Sequence, residues 1–163
     1  MMEFIDSLKE FYLGKCLITL FLSMVPVIEL RGAIPAGVIM GLPVFTSSVI
    51  SIIGNLIPVP FIIVFIRKIF DWMTRKSQFL GSVAKKFESK ALAHSKSLYA
   101  GQLIGLMLFV AIPLPGTGAW TGALIAAILK LRLKAAFPAI AAGVVIAGIC
   151  VTIITFGVKA IFV

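Results

Sequence analysis

The stretch Ala-Ile-Pro-Leu-Pro-Gly-Thr-Gly-Ala-Trp at residues 111–120 interrupts an uncharged segment, 101–129, that is otherwise long enough to cross a membrane. Pro113 and Pro115 have no backbone N–H to donate, and Gly116 allows a sharp turn. Each arm that remains has about 12 residues, or roughly 18 Å of helix, which is too short for the roughly 30 Å hydrocarbon core. The stretch therefore predicts a re-entrant hairpin and not a single crossing.

The composition indicates that lipid is the solvent for much of the surface. Apolar residues make up 61% of the 163 residues, charged residues only 13%, and the mean hydropathy is +1.16. A soluble domain of this length cannot hide so much apolar surface in one core. Two further uncharged stretches, 32–66 and 135–158, each exceed the roughly 20 residues that a spanning helix needs. We therefore expect an all-α integral membrane protein.

The first half of the chain repeats the pattern of the second half. A hydrophobic segment is broken between Pro26 and Pro35, and a full span over 44–66 follows a short second arm, as 135–158 follows the second hairpin. A hairpin returns to its starting side whereas a span crosses, so the second unit enters the membrane from the opposite side. The sequence thus predicts an inverted repeat of two re-entrant helical hairpins and two full transmembrane helices.

A short string marks the same repeat, since Ala-Ile-Pro occurs at 33–35 and again at 111–113. The alternative to hairpins is a pair of short spans at 14–41 and at 101–129. With hairpins, the chain is one membrane domain made of repeat one, a basic connector and repeat two, at about 14–66, 67–100 and 101–160.

The charge of +9 is concentrated in two loops. Segment 67–100 has eight Lys or Arg residues against two acids, and 130–134 adds three more basic residues. Positive loops stay in the cytoplasm during insertion, which places both loops inside and both termini outside. Within the connector, apolar residues recur at three- and four-residue steps over 68–98, which predicts an amphipathic helix on the inner leaflet. Nucleic acid is not needed to explain the charge.

Glu29 and Arg31 are charged residues in the first predicted hairpin, where charge is costly and usually marks a pathway or an ion pair. At a spacing of two they do not face each other on a regular helix, but a broken tip can turn both into one pocket. A carboxyl group in low dielectric exchanges protons near neutral pH, whereas a guanidinium stays charged and suits an anion. The competing interpretation is a self-neutralising pair that holds the tip together.

The second tip offers freed backbone groups, the Thr117 hydroxyl and the Trp120 indole, which are tolerated at membrane depth only under a cover of protein or water. Asn55, beside prolines in the first span, contacts either substrate or a neighbouring helix. The candidate substrate- or ion-binding residues are Glu29, Arg31, Pro35, Asn55, Pro113, Pro115, Gly116, Thr117 and Trp120. No catalytic triad, phosphate-binding loop or metal-ligand set is present, so we expect neither an enzyme nor a cofactor.

Two motifs in order, Glu-Leu-Arg-Gly-Ala-Ile-Pro at 29–35 and Pro-Leu-Pro-Gly-Thr-Gly-Ala-Trp at 113–120, resemble the signature of the small multidrug export protein family, which is related to the DedA superfamily. The resemblance covers essentially the whole chain. It implies a prokaryotic inner membrane, inverted re-entrant hairpins, and movement of lipids such as undecaprenyl phosphate or coupling to protons. It also implies an acidic residue in the first hairpin and arginines associated with the second. Glu29 fits, but segment 101–129 has no Arg.

The leading functional hypothesis is a homo-oligomeric transporter or lipid flippase, with a dimer favoured, whose substrate site lies between the two tips. Membrane lipids, including an anionic or polyprenyl phosphate lipid, are the expected partners. One alternative is a proton-coupled multidrug exporter. The other is a membrane scaffold or assembly factor that does not transport and binds partner helices through its Gly-x-x-x-Gly faces.

Overall fold

The computed structural model describes residues 2–76, 96–114 and 116–162, and this part of the chain is all-helical. It confirms the all-α class. The helices are α1 to α7 in chain order, at Met2–Met24, Glu29–Ile39, Val44–Leu56, Pro58–Lys76, Lys96–Ala111, Ala119–Ile128 and Leu133–Phe162.

Two of the described helical segments are long and apolar enough to cross a membrane. They are Val44–Ile69, formed by α3 and α4, and Leu133–Val158 within α7, and each has 26 residues. The helix stops for one residue at Ile57, because Pro58 and Pro60 have no N–H to give to the carbonyls four residues earlier. The helix is therefore irregular just after Asn55.

The described helices pack as two groups that share α7. In the first group α1, α2 and α3 contact one another, and in the second α5 packs on α7 while α6 packs on α4. Contacts of α7 with α2 and α3 join the groups. The described residues thus contain two pairs of helices, α1 with α2 and α5 with α6, each followed by a long apolar helical segment. The re-entrant depth and the inverted orientation stay predictions, because they depend on where the membrane lies.

Helix boundaries around the basic connector differ from the expected ones. The first long helix does not end at Ile66, because α4 continues to Lys76, and α5 already begins at Lys96. Lysines and arginines are good helix formers, so a change from apolar to basic sequence does not by itself end a helix. Most of the amphipathic helix predicted over 68–98 lies outside the described residues.

The first tip also lies earlier than expected. The turn occupies 25–28 and α2 starts at Glu29, so Pro35 lies inside a helix, whereas Pro113 follows the end of α5. The two Ala-Ile-Pro strings therefore occupy different places in their hairpins and do not mark equivalent positions. A proline inside a helix removes one hydrogen bond, and here the packing of α2 against α1 and α3 maintains the helix despite that loss.

The described core is apolar and lies mainly between α4, α5, α6 and α7, where Ile63, Ala123, Ile140 and Val144 are fully buried. Many large apolar side chains, Phe45 among them, are also exposed on the surface of the described residues. Exposed apolar surface on this scale is unusual for a soluble monomer and suits a lipid environment.

Close packing of α3 against α1 depends on Gly54. A Cβ placed there would meet the Ser23 hydroxyl and would lie 2.7 Å from the Leu20 carbonyl oxygen, which is backbone and cannot swing away. We therefore expect Gly54→Ala to lower the free energy of unfolding by about 1–3 kcal/mol, as overpacking usually does. Thermal unfolding in detergent measures this. Gly157→Ala, where a Cβ meets open space, is the matched control and should leave the melting temperature unchanged or raise it. Equal melting temperatures for the two variants would contradict the packing argument.

Candidate functional site

The two chain breaks meet in the folded structure. Arg31, in the first turn of α2, reaches residues 112–117 of the second tip, from which it is more than 80 residues distant in sequence. The backbone there is free to accept hydrogen bonds, because α5 ends at Ala111 and the prolines that follow cannot continue a helix. One charged side chain thus connects the two hairpins.

The Arg31 guanidinium is held by oxygen atoms of the second tip. Its Nη1 donates to the carbonyl of Leu114, and its Nη2 donates to the carbonyl of Ile112 at 3.1 Å and to Thr117 Oγ1 at 3.0 Å. Its Nε is buried and has no hydrogen-bond partner. The planar fork of five N–H donors fits such a set of oxygens, which a lysine ammonium does not match.

Thr117 completes this contact from the side of the second tip. Its hydroxyl oxygen lies 2.7 Å from the Ile112 carbonyl oxygen and 2.8 Å from the Leu114 carbonyl oxygen. The hydroxyl group donates its proton to these carbonyls and accepts a hydrogen bond from Arg31. Gly116 has φ +87°, a left-handed conformation that glycine adopts without steric cost, and so turns the chain back. The carbonyls of Ile112 and Leu114, which the sequence predicted to be free for a substrate, therefore accept hydrogen bonds from Arg31.

Glu29 lies on the other side of the same contact and is only 4% exposed. Its Oε2 is 3.7 Å from Arg31 Nη1, and its Oε1 accepts from the backbone N–H of Trp120 at 3.4 Å. Trp120 lies in the first turn of α6, whose free N–H groups and dipole favour a negative group. The Trp120 indole also donates to the carbonyl of Met24 at 3.1 Å, which ties the second tip to the end of α1.

The backbone of Glu29 explains how residues two apart can pair. Glu29 has φ +48°, in the left-handed region that residues other than glycine rarely adopt. This conformation changes the direction of its side chain relative to a regular helix, so that it reaches the same pocket as Arg31. Such a conformation costs on the order of 1–3 kcal/mol and is typical of functional sites.

A narrow cleft joins these groups to the first long helix. Glu29, Arg31, Asn55 and Gly118 line it together with apolar side chains from α2, α5, α6 and α7. Asn55 is 1% exposed, and its Oδ1 is buried without a hydrogen-bond partner. Within the described residues no group of acids, cysteines and histidine could hold a metal ion. The arrangement can bind or release a proton at one carboxylate, next to a fixed positive charge.

The structure brings together Glu29, Arg31, Asn55, Thr117 and Trp120 from the predicted set. Pro35 is half-buried inside α2, and Pro113 and Gly116 shape the second tip from exposed positions. Pro115 lies outside the described residues.

Sequence analysis missed Gly118. It predicted free backbone groups at the second tip but did not identify the carbonyls of Ile112 and Leu114 among them. The glycine that directly precedes α6 was the available signal for Gly118, since the start of a helix favours a nearby anion. No pattern of residue types could have identified the two carbonyls, because every residue has one.

Gly118 sets the distance between Glu29 and α6. A Cβ at this position would fall on the Glu29 carboxylate. We expect Gly118→Ala to displace that carboxylate from the Trp120 N–H and to lower the free energy of unfolding by about 1–3 kcal/mol. Thermal unfolding in detergent measures the change. The double variant Gly118→Ala with Glu29→Ala tests the cause, since the shorter side chain removes the clash and the additional loss caused by Gly118→Ala should largely disappear. An additional loss as large as in the wild-type background would show that Glu29 is not what Gly118 accommodates.

Residues 29–150 match the family model described as "Putative small multi-drug export protein". The match begins at Glu29, directly after the first turn, and includes the second tip and more than half of α7. Searches of curated proteins and of solved structures found no match.

Proposed function

The chain belongs to the small multi-drug export protein family, and on this premise we propose that it is a proton-coupled exporter in a membrane, with its substrate path between the two tips. The observation that carries the proposal is the Glu29 carboxylate, which is buried at the contact between two broken hairpins. A membrane location fits the family and the two long apolar helical segments.

Glu29 is the residue best placed to carry the proton. Residues 11–70 contain no other Asp or Glu, and residues 89–163 contain none at all. An ionisable group within apolar helices is costly and usually functional. Its left-handed backbone adds a further local cost, which the surrounding contacts must offset. A buried carboxyl between two movable tips is thus suited to take a proton from one side and release it to the other.

The contacts of Arg31 favour an exporter over a flippase for lipid phosphates. A phosphate site needs free guanidinium donors, but Nη1 and Nη2 of Arg31 already donate to the second tip. Only Nε has no partner. Segment 101–129 supplies no other arginine. We therefore assign Arg31 to holding the tips and propose an amphipathic cation as the substrate class, because the same carboxylate can bind either a proton or a cation.

In this mechanism the proton and the cationic substrate compete for the Glu29 carboxylate, and this competition drives export. Ionised Glu29 pairs with Arg31 and with the start of α6, which keeps the cleft closed. Protonation removes the negative charge, weakens both contacts and shifts the population towards an open arrangement of the tips. Release of the proton on the other side restores the carboxylate, which binds a cationic substrate or returns to Arg31.

The test uses purified protein in liposomes with ethidium as the probe. A vesicle interior more acidic than the outside should drive ethidium uptake, and a protonophore should stop it. Vesicles without protein and vesicles without a pH gradient are the controls. A second arm follows a fluorescent lipid with a phosphate headgroup across the same bilayer. Lipid movement without ethidium uptake would support the flippase instead, and no movement of either probe would support the scaffold.

A further inference from the structure

One face of α3 carries a row of buried polar side chains. Ser47, Ser51 and Asn55 follow one another at a spacing of four residues, which places them in a row along the helix. Each of the three is at most 1% exposed. The row ends at the cleft, because Asn55 lines it together with Glu29.

Two oxygens of this row have no hydrogen-bond partner. Ser51 Oγ and Asn55 Oδ1 are both buried and unpaired. Their neighbour Ser48 differs, because its hydroxyl pairs with Thr152 Oγ1 at 2.7 Å and with its own helix at 2.8 Å. Buried polar groups are almost always paired, so unpaired ones require an explanation such as a functional role or a bridging water.

The other end of the row reaches the start of α3. Ser47 donates to the carbonyl of Ile34 at 2.8 Å, and the hydroxyls of Ser47 and Thr19 fill the space that a side chain at Gly37 would need. Thr19 in turn donates to the carbonyl of Lys15, whose ammonium lies near the exposed turn at Gly41. The row therefore runs from Glu29 towards the end of the bundle where α2 turns into α3.

The spacing of the row suits bridging waters. Four helical residues rise by roughly 6 Å, which equals about two O–H···O hydrogen bonds in series. The closed cleft at Asn55 has no room for a water. When the tips open, one water between each pair of side chains would connect Asn55, Ser51 and Ser47 over about 12 Å.

We propose that Asn55, Ser51 and Ser47 form a proton path between Glu29 and the end of the bundle at Gly41. The inference rests on the proposed function, since it assigns a route to the proton that Glu29 carries. Hydroxyl groups and waters pass the proton along by accepting one hydrogen bond and donating the next, and Asn55 orients the last water.

The test compares two serines of the same helix in the ethidium assay. Ser51→Ala removes an unpaired hydroxyl, so the melting temperature should stay the same or rise, while gradient-driven uptake should fall about tenfold, as for a lost hydrogen bond in the transfer step. Ser48→Ala removes a paired hydroxyl, so the melting temperature should fall while uptake per folded protein stays at the wild-type rate. Ser51→Thr keeps a hydroxyl and should recover much of the uptake.

A second measurement separates the path from the export function itself. Exchange of labelled for unlabelled ethidium at equal pH needs no net proton transfer, so Ser51→Ala should exchange at the wild-type rate. Wild-type gradient-driven uptake by Ser51→Ala, in a protein whose Glu29→Gln variant is inactive, would overturn the path and leave the export function standing. Absence of gradient-driven uptake in the wild type would overturn both.

Discussion

Glu29→Gln is expected to abolish gradient-driven transport, with a loss of at least about 100-fold, while the protein still folds. Glutamine has the size of glutamate, and its carbonyl oxygen can still accept the Trp120 N–H that Glu29 accepts at 3.4 Å. It has no acidic proton to take up and release. The rate of ethidium uptake driven by an acidic vesicle interior is the measurement, with thermal unfolding in detergent as the test of folding.

Glu29→Asp is the matched control for this experiment. It keeps a carboxyl group, and aspartate tolerates the left-handed backbone of this position better than most residues. Partial transport by Glu29→Asp and none by Glu29→Gln would show that the proton is what matters. Wild-type uptake by a folded Glu29→Gln protein would refute proton carriage at this site and would favour another type of transport.

Arg31→Ala is expected to produce the largest loss of stability, about 3–5 kcal/mol, because it leaves a buried charge without its partner. Glu29 would lose the guanidinium that lies 3.7 Å from it. The carbonyls of Ile112 and Leu114 and the Thr117 hydroxyl would also lose their donors, which releases the second tip from α2. Thermal unfolding in detergent measures the effect, and proteolysis at the second tip provides an independent measurement.

Two comparison variants separate the causes of that loss. The double variant Glu29→Gln with Arg31→Gln removes both charges, so it should be more stable than Arg31→Ala. It should recover only part of the stability lost in Arg31→Ala, because the second tip still lacks the hydrogen-bond donors of the guanidinium. Arg31→Lys keeps the charge without the planar fork and should fall between Arg31→Ala and the wild type. A melting temperature of Arg31→Ala equal to that of the wild type would show that Arg31 does not hold the tips together.

The sequence determined the class of the protein and two of the places where its helices break. Uncharged stretches such as 135–158 exceed a membrane thickness, and this property depends only on the order of residue types. Prolines remove hydrogen-bond donors wherever they occur, so the breaks at 112–118 and beside Pro58 were predictable. The isolated pair Glu29 and Arg31 was recognisable because charge is rare among apolar residues.

Only the tertiary structure decided which groups meet. The contact between Arg31 and the Leu114 carbonyl joins residues 83 positions apart, and the Glu29 carboxylate occupies the space beside Gly118 only because α2 packs near the start of α6. A backbone carbonyl is the same in every residue, so no sequence pattern shows which one will be free and facing an arginine. For the same reason Ser51 and Ser48 look alike in sequence. The packing of α7 against α3 places Thr152 within hydrogen-bond distance of Ser48, whereas Ser51 has no hydrogen-bond partner. The side chains of a helix face find their partners only when another helix packs against that face.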